Sequence, residues 1–359
     1  MKICANCFND PFLINFINKK GKKGECNYCE KKKVKCVNII ELEPFFSNLI
    51  DGLYNAVINF MPLEELKEYD GEYLWELIQN EWDIFSSEDI EVQECIITDI
   101  YFPSMSHEGK YILESYWVRE YQYWGLDAEH EEENKKAWEL FKEELISKNR
   151  FFPEKNFDIS IIDLFLPSLL NTDFKVGSSL FRSRLNNAKI PADQMGKPNH
   201  KLASAGRANP RGIAYLYLAS DRETAIAEIR PTKHTYVTVG EFICTKELQI
   251  IDLTSISLGS PFQYGKKIYD YVINRSILLQ LGHELSKPII SDTSDIDYLP
   301  SQYICEYIKN KGYDGIKYRS SVNIKGFNVV LFDEQDKVVC NSTTFYRIAD
   351  VKYEFIEES

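Results

Sequence analysis

The chain has 359 residues, 27% of them charged and 44% hydrophobic, with a formal net charge of −13. That composition fits a globular chain of two or three domains and excludes disordered and fibrous classes. No apolar run approaches the roughly 20 residues a membrane helix needs, and the start, Met1 to Phe8, lacks a signal-peptide apolar region. The expected location is therefore the cytoplasm, with no membrane partner.

The charge is unevenly spread. Residues 1–40 carry nine lysines against three acids, residues 41–150 carry 27 acids against eight basic residues, and residues 151–359 carry 25 of each. Such shifts predict three segments, 1–40, 41–150 and 151–359. The acidic total argues against broad nucleic-acid binding, while the basic start suits a phosphate or the acidic middle.

Five of the nine cysteines lie in the first 36 residues. With no export signal a disulfide framework is not expected. Cys4-Ala-Asn-Cys7 and Cys26-Asn-Tyr-Cys29 are two C-x-x-C pairs, each able to present two thiolates to one metal. Together they predict a closed tetrahedral S₄ site for a structural Zn²⁺, which is redox-inert and content with four thiolates. No coordination position is left for chemistry, so the segment reads as a zinc ribbon. Cys36 is expected to pack, not to ligate.

From Glu41 to Arg150 the sequence reads as helical. Phe45, Phe46, Leu49, Ile50, Leu53, Tyr54, Val57 and Ile58 keep a 3.6-residue rhythm, and similar runs surround Trp75 and Phe141. The third segment opens on an apolar stretch, Ile159 to Leu170, expected as a helix. Strands are predicted over Phe174 to Leu185, Ile213 to Leu218, Tyr236 to Cys244, Leu248 to Leu253, Gly315 to Arg319 and Phe327 to Phe332. Helices are predicted over Ile268 to Leu281 and Pro300 to Lys311. This mixture, with helices at the flanks, predicts an α+β domain. Neither a P-loop nor a dinucleotide-binding glycine fingerprint occurs.

The most informative stretch is Gly206 to Pro231. Gly206, Asn209, Pro210 and Gly212 make a turn-rich loop. A strand follows, then a short helix for which Ser220 fits the N-cap and Glu223 its capping-box partner. Ala225, Ile226 and Ile229 form the helix's apolar stripe, and Glu228 sits beside it. By spacing alone Glu228 reads either as a boundary carboxylate paired with an arginine or as a functional group leaning inward.

This stretch resembles the core of the RES domain family, named for an arginine, a glutamate and a serine. The resemblance rests on Gly206-Arg207, Asn209-Pro210, Leu216-Tyr217-Leu218-Ala219, Thr224-Ala225 and Ala227-Glu228. It extends to Leu180-Phe181-Arg182-Ser183-Arg184, to Met195-Gly196, to Gly312 through Ser320 and to Asn328 through Phe332. The helical segment is similar to the HEPN-type domains that precede RES domains. The arginine-histidine pair of HEPN ribonucleases is absent, because Arg119 is followed by no histidine before His130. A scaffold or sensor role is therefore expected there, not RNA cleavage.

The resemblance implies a fold like that of ADP-ribosyltransferases and attack on NAD⁺ at the nicotinamide–ribose bond. Arg182, Glu228 and Ser320 are the implied catalytic residues, and Arg207, Asn209 and Tyr217 the implied binding residues. The residue types suit that reaction. Nicotinamide leaves as a neutral molecule, so one carboxylate that stabilises the ribosyl cation is sufficient. An arginine fork suits a pyrophosphate. The acceptor, whether water, phosphate or a protein side chain, is left open, so the readings are an NAD⁺ glycohydrolase or phosphorylase and a protein ADP-ribosyltransferase. The resemblance also implies a toxin or defence effector with an antitoxin or regulatory partner, and assembly into a homo-oligomer is expected. The rival reading from a different class is a non-catalytic binding module, in which the ribbon and helical segment recognise nucleic acid or protein.

Overall fold

The computed structural model describes residues 1–66, 70–102, 115–154, 157–254, 259–286 and 294–351. The chain forms two compact units, Met1–Lys135 with Leu258–Ser276, and Lys136–Ser257 with Ile277–Ser359.

The first unit begins with a small antiparallel sheet of β1 (Lys2–Cys4), β2 (Lys22–Gly24) and β3 (Val34–Asn38), in the order β1-β3-β2. Between β1 and β2 lies α1 (Pro11–Lys20). Its start is set by Asp10, which accepts a hydrogen bond from the Leu13 amide, and by Pro11, which fits the first helical turn because its missing N–H needs no partner. Next come α2 (Glu43–Leu53), α3 (Leu74–Trp82) and α4 (Ile90–Tyr101). The buried ring of Phe8 lies 6.5 Å from Phe46 and 6.2 Å from Phe85, and Phe46 lies 6.4 Å from Phe85. The Ser86 amide donates to the Cys7 carbonyl at 3.1 Å. The Cys4–Cys7 turn is thus built into the same core as the helices.

The apolar rhythm from Phe45 to Ile58 predicts one helix, but α2 stops at Leu53. Tyr54 is extended, and β4 (Tyr54–Ala56) pairs antiparallel with β5 (Trp117–Arg119). The cause is a buried polar cluster that only an extended Tyr54 can join. The Glu81 carboxylate accepts from the hydroxyls of Tyr54 at 2.8 Å and Tyr121 at 2.5 Å, and from Arg119 Nε at 2.9 Å. This long-range pairing outweighs local periodicity, as tertiary context commonly does.

The second unit is organised on one eight-stranded mixed sheet. Its strands are β6 (Leu170–Asn171), β7 (Ser179–Leu185), β8 (Leu216–Ala219), β9 (Tyr236–Cys244), β10 (Ile250–Asp252), β11 (Gly315–Arg319), β12 (Phe327–Leu331) and β13 (Val338–Arg347). Their order is β13-β9-β7-β8-β12-β11-β10-β6, and only β10 and β11 run parallel. Leu180, Leu216, Leu218, Phe242, Ile250, Val329 and Leu331 fill the core on one face. Along β8 the alternation is clean, with Leu216 and Leu218 in that core and Tyr217 on the other face, as period-2 geometry demands.

Two local expectations change here. The stretch Ile159 to Leu170 is not one helix but a 3₁₀ segment (Ile159–Leu164) followed by a single turn (Leu166–Leu169). Pro167 accounts for the break, because it cannot donate within a continuous helix. The edge strand β13 was not expected, since its polar Asn341-Ser-Thr-Thr run masks the alternation that lets it pair with β9. Among the described residues, no helix is long and apolar enough to cross a membrane.

Candidate active site

The loop before β8 is held from within. Asn209 is buried, and its Nδ2 donates to the carbonyls of Ser204, Pro210 and Ile213 while its Oδ1 accepts from the Tyr217 hydroxyl at 2.6 Å. The Tyr217 hydroxyl in turn accepts from the Ala208 amide at 3.1 Å. A Cβ on Gly206 would lie 2.7 Å from both the Tyr217 hydroxyl and Asn209 Oδ1, so only glycine allows this closure. From the helix Leu299–Asn310, Gln302 donates to the carbonyls of Gly206 and Asn209. The polar atoms of Asn209 are thus spent on shaping the loop and none is directed at a ligand.

Glu228 is carried by α5 (Arg222–Glu228). Its N-cap is Asp221, not Ser220. Asp221 accepts from the Thr224 amide at 2.7 Å and from the Thr224 hydroxyl at 2.8 Å, a charged cap at the positive end of the helix. Ser220 is occupied elsewhere, accepting from the Phe327 amide at 3.2 Å. The helix ends at Glu228 with Ile229 as its C-cap, and Arg230 then takes a left-handed φ of 45° ahead of Pro231. Glu228 therefore stands in the last turn, where the helix dipole disfavours an anion.

Two donors offset that cost. Ser320, at the end of β11, donates from Oγ to Glu228 Oε1 at 2.7 Å, and Asn328 on β12 donates from Nδ2 to the same oxygen at 2.6 Å. The Ser320 hydroxyl also accepts from the amides of Val322 and Asn323, which fixes the turn beneath it. That turn seats against the helix because Gly326 has no side chain. A Cβ there would lie 2.1 Å from the Thr224 hydroxyl. Among the described residues Glu228 has no arginine partner, so the boundary ion pair of the alternative reading does not form.

Arg182 projects from β7 where this strand meets β8 at a single pairing, Phe181 with Ala219. Its Nη1 donates to the Tyr217 carbonyl at 3.2 Å, and its Nε is buried with no hydrogen-bond partner among the described residues. Burial, with some help from Arg184, pushes this guanidinium down to about 10, against the opposing pull of Glu334. Such a cation is poised to gain from an incoming anion.

Arg182, Ser183, Tyr217, Tyr318, Asn328 and Glu228 line one cavity of about 260 Å³. A buried cation and a carboxylate thus stand on the walls of the same pocket, between two phenols that burial keeps protonated. Arg207 lies outside the pocket lining. Its guanidinium sits 5.9 Å from the Tyr318 ring centre and donates to Ser321 Oγ at 3.2 Å. Of the expected residues, Arg182, Tyr217 and Glu228 line the cavity, Ser320 bonds to Glu228, and Arg207 and Asn209 lie outside the lining. Asn328 was missed. Its only sequence signal is a polar residue at the mouth of an apolar strand, Asn328-Val-Val-Leu-Phe.

In the first unit, Cys4, Cys7, Cys26 and Cys29 bring their sulfurs within 4.8 Å of one another. Neighbouring pairs lie at 3.9 Å (Cys4–Cys7), 3.4 Å (Cys4–Cys29) and 3.5 Å (Cys7–Cys26). A tetrahedral zinc with bonds of about 2.3 Å requires sulfur–sulfur edges of roughly 3.8 Å, so the donor set fits. The thiols perturb one another across these contacts. The hydrogen bond to Cys26 and burial raise Cys7, burial raises Cys4, and Cys7 lowers Cys26. A dication displaces the thiol protons on binding.

Residues 180–350 match the model of the RES domain, and residues 19–157 match that of HEPN/RES N-terminal domain 1. No curated protein matches the chain. Among solved structures, the crystal structure of the M. tuberculosis MbcT–MbcA toxin–antitoxin complex is similar at 12% identity and a TM-score of 0.33, covering 54% of this chain and 94% of that one.

Proposed function

We propose that this chain, a RES domain preceded by a HEPN/RES N-terminal domain, is a toxin-like enzyme that cleaves NAD⁺ between nicotinamide and ribose. The observation that carries the reading is the pairing of Arg182 and Glu228 on one small cavity. Arg182 supplies a desolvated cation for the pyrophosphate. Glu228 supplies one carboxylate, held by two donors, for the ribosyl cation that develops as neutral nicotinamide departs. Among the described residues no second carboxylate lines the pocket, and the reaction needs none, because the leaving group requires no protonation. In this reading the fold is that of an ADP-ribosyltransferase relative, and Tyr217 and Tyr318 give the nicotinamide and ribose aromatic walls. Arg207 reaches the outer phosphate.

Cys4, Cys7, Cys26 and Cys29 hold a structural Zn²⁺ in this account, and the N-terminal unit regulates without catalysing. The antitoxin or regulatory partner acts on the toxin-like second unit. The deciding experiment is mass spectrometry of the products after NAD⁺ is incubated with the protein, with and without phosphate. ADP-ribose indicates water as acceptor, ADP-ribose phosphate indicates phosphate, and a mass increase on co-incubated protein indicates transfer. If nicotinamide is not released in any arm, the enzymatic reading fails and the binding-module reading takes its place.

A further inference from the structure

Asn328 sits at the start of β12, opposite Ala219 of β8 and Tyr318 of β11, so both of its strand neighbours belong to the site. The residue is 5% exposed. Asparagine is a poor strand residue, and an apolar side chain at a buried sheet position packs better. Its amide nonetheless has a definite employer, the Glu228 Oε1 oxygen at 2.6 Å. Ser320 Oγ donates to that same oxygen at 2.7 Å. Glu228 Oε2 takes no hydrogen bond from any described residue.

We infer that Asn328 is a positioning residue that, with Ser320, ties down Glu228 Oε1 and leaves Oε2 as the working oxygen facing the substrate ribose. A glutamate has three side-chain torsions, and one hydroxyl that already accepts two backbone amides constrains it from a single direction. The second donor comes from a central strand whose backbone is paired on both sides, so it cannot drift. Two anchors on one oxygen fix the plane of the carboxylate and with it the direction of the free lone pairs. The inference rests on the NAD⁺ reading for what Oε2 meets, but the Asn328–Glu228 coupling itself does not.

The test uses the full chain with Asn328→Asp and Asn328→Ala. Asn328→Asp keeps the shape but replaces the donating amide with an acceptor. Both variants are expected to lower kcat for nicotinamide release about 10- to 100-fold, the scale on which misplacement of a catalytic group acts. KM is expected to stay within about threefold, because the ground state does not depend on Oε2. Wild-type kcat in Asn328→Asp overturns the inference. A second measurement works whether or not NAD⁺ is the substrate. The denaturation midpoint is read for wild type, Asn328→Ala, Glu228→Ala and the double variant. The effect of Asn328→Ala is expected to differ clearly between the wild-type and Glu228→Ala backgrounds. Additive effects show that the two side chains are not coupled and overturn the inference, even if the wild type releases no nicotinamide and the NAD⁺ reading has failed on its own.

Discussion

Ser320 and Glu228 are 92 residues apart in sequence and joined by a 2.7 Å hydrogen bond, hydroxyl to carboxylate. The serine of the motif is thus a donor to the glutamate before any ligand arrives. Its first task is orientation of that carboxylate, and any contact with substrate passes alongside it.

Glu228→Gln keeps the size of the side chain and removes its charge. A group that stabilises a developing cation acts mainly in the transition state. Turnover in nicotinamide release is expected to fall about 10²- to 10³-fold, the usual loss for one electrostatic group, while NAD⁺ binding by calorimetry stays near wild type. Growth inhibition on expression should be relieved in parallel. Near-normal turnover removes Glu228 from the chemistry.

Arg182→Met should separate stability from binding. The buried guanidinium is held down at about 10 because the fold disfavours its charge. At pH 7 it is protonated in both folded and unfolded chains, so the desolvation cost is present in full. That cost is relieved only as pH rises through about 10 toward the unfolded value. Arg182→Met is therefore expected to raise the ligand-free Tm and to weaken NAD⁺ and ADP-ribose binding by tenfold or more. Binding to wild type should also decline above pH 10, where the charge is lost. A variant that binds normally shows that the pyrophosphate lies elsewhere.

If Cys4, Cys7, Cys26 and Cys29 hold the proposed zinc, its removal should be felt beyond the ribbon. Cys7 shares a backbone hydrogen bond with Ser86, and its neighbour Phe8 packs between Phe46 and Phe85. About one zinc per chain is expected by elemental analysis. Cys7→Ser, or a strong chelator, is expected to expose amides of α2 and α3 to hydrogen exchange as well as those of β1 to β3. Protection lost from residues 1–40 alone contradicts this.

Glu81→Gln tests the first unit by itself. The carboxylate is the common acceptor for Tyr54, Tyr121 and Arg119, and its side chain is only 10% exposed. Breaking a buried pair by removing one partner costs about 3–5 kcal/mol. A lower denaturation midpoint is expected with unchanged kcat for nicotinamide release in the protein that remains folded. A selective loss of kcat at full stability points instead to a catalytic contribution from this unit.

The parts of the molecule that were legible in the sequence are those whose chemistry is local. Two C-x-x-C pairs announce a thiolate cluster because each pair is a knuckle by itself. Arg182, Tyr217, Glu228 and Ser320 are readable through motif resemblance, and the fold gathers them around one cavity. Asn328 was not, because its role depends on strand register with residues 100 positions away. The helix cap shows the limit at short range. Ser220 and Asp221 are both good caps, and the choice falls to Asp221 because Ser220 is drawn to Phe327 of the neighbouring strand. Tyr54 was assigned to a helix for the same reason in reverse, since its apolar rhythm is local and its partner Glu81 is not.

The order of strands also sets a clock. Arg182, Tyr217, Asn328 and Tyr318 stand on four adjacent strands, β7-β8-β12-β11, yet in synthesis β12 is made after β7, β8 and β11. Until β12 has emerged and inserted between β8 and β11, Asn328 is missing, no strand joins β11 and the Ser320 turn to β8, and the pocket lacks a wall. Domains built on such long-range pairing complete late. On the reading proposed above, a nascent chain still held on the ribosome is expected to lack the finished pocket and, with it, the activity.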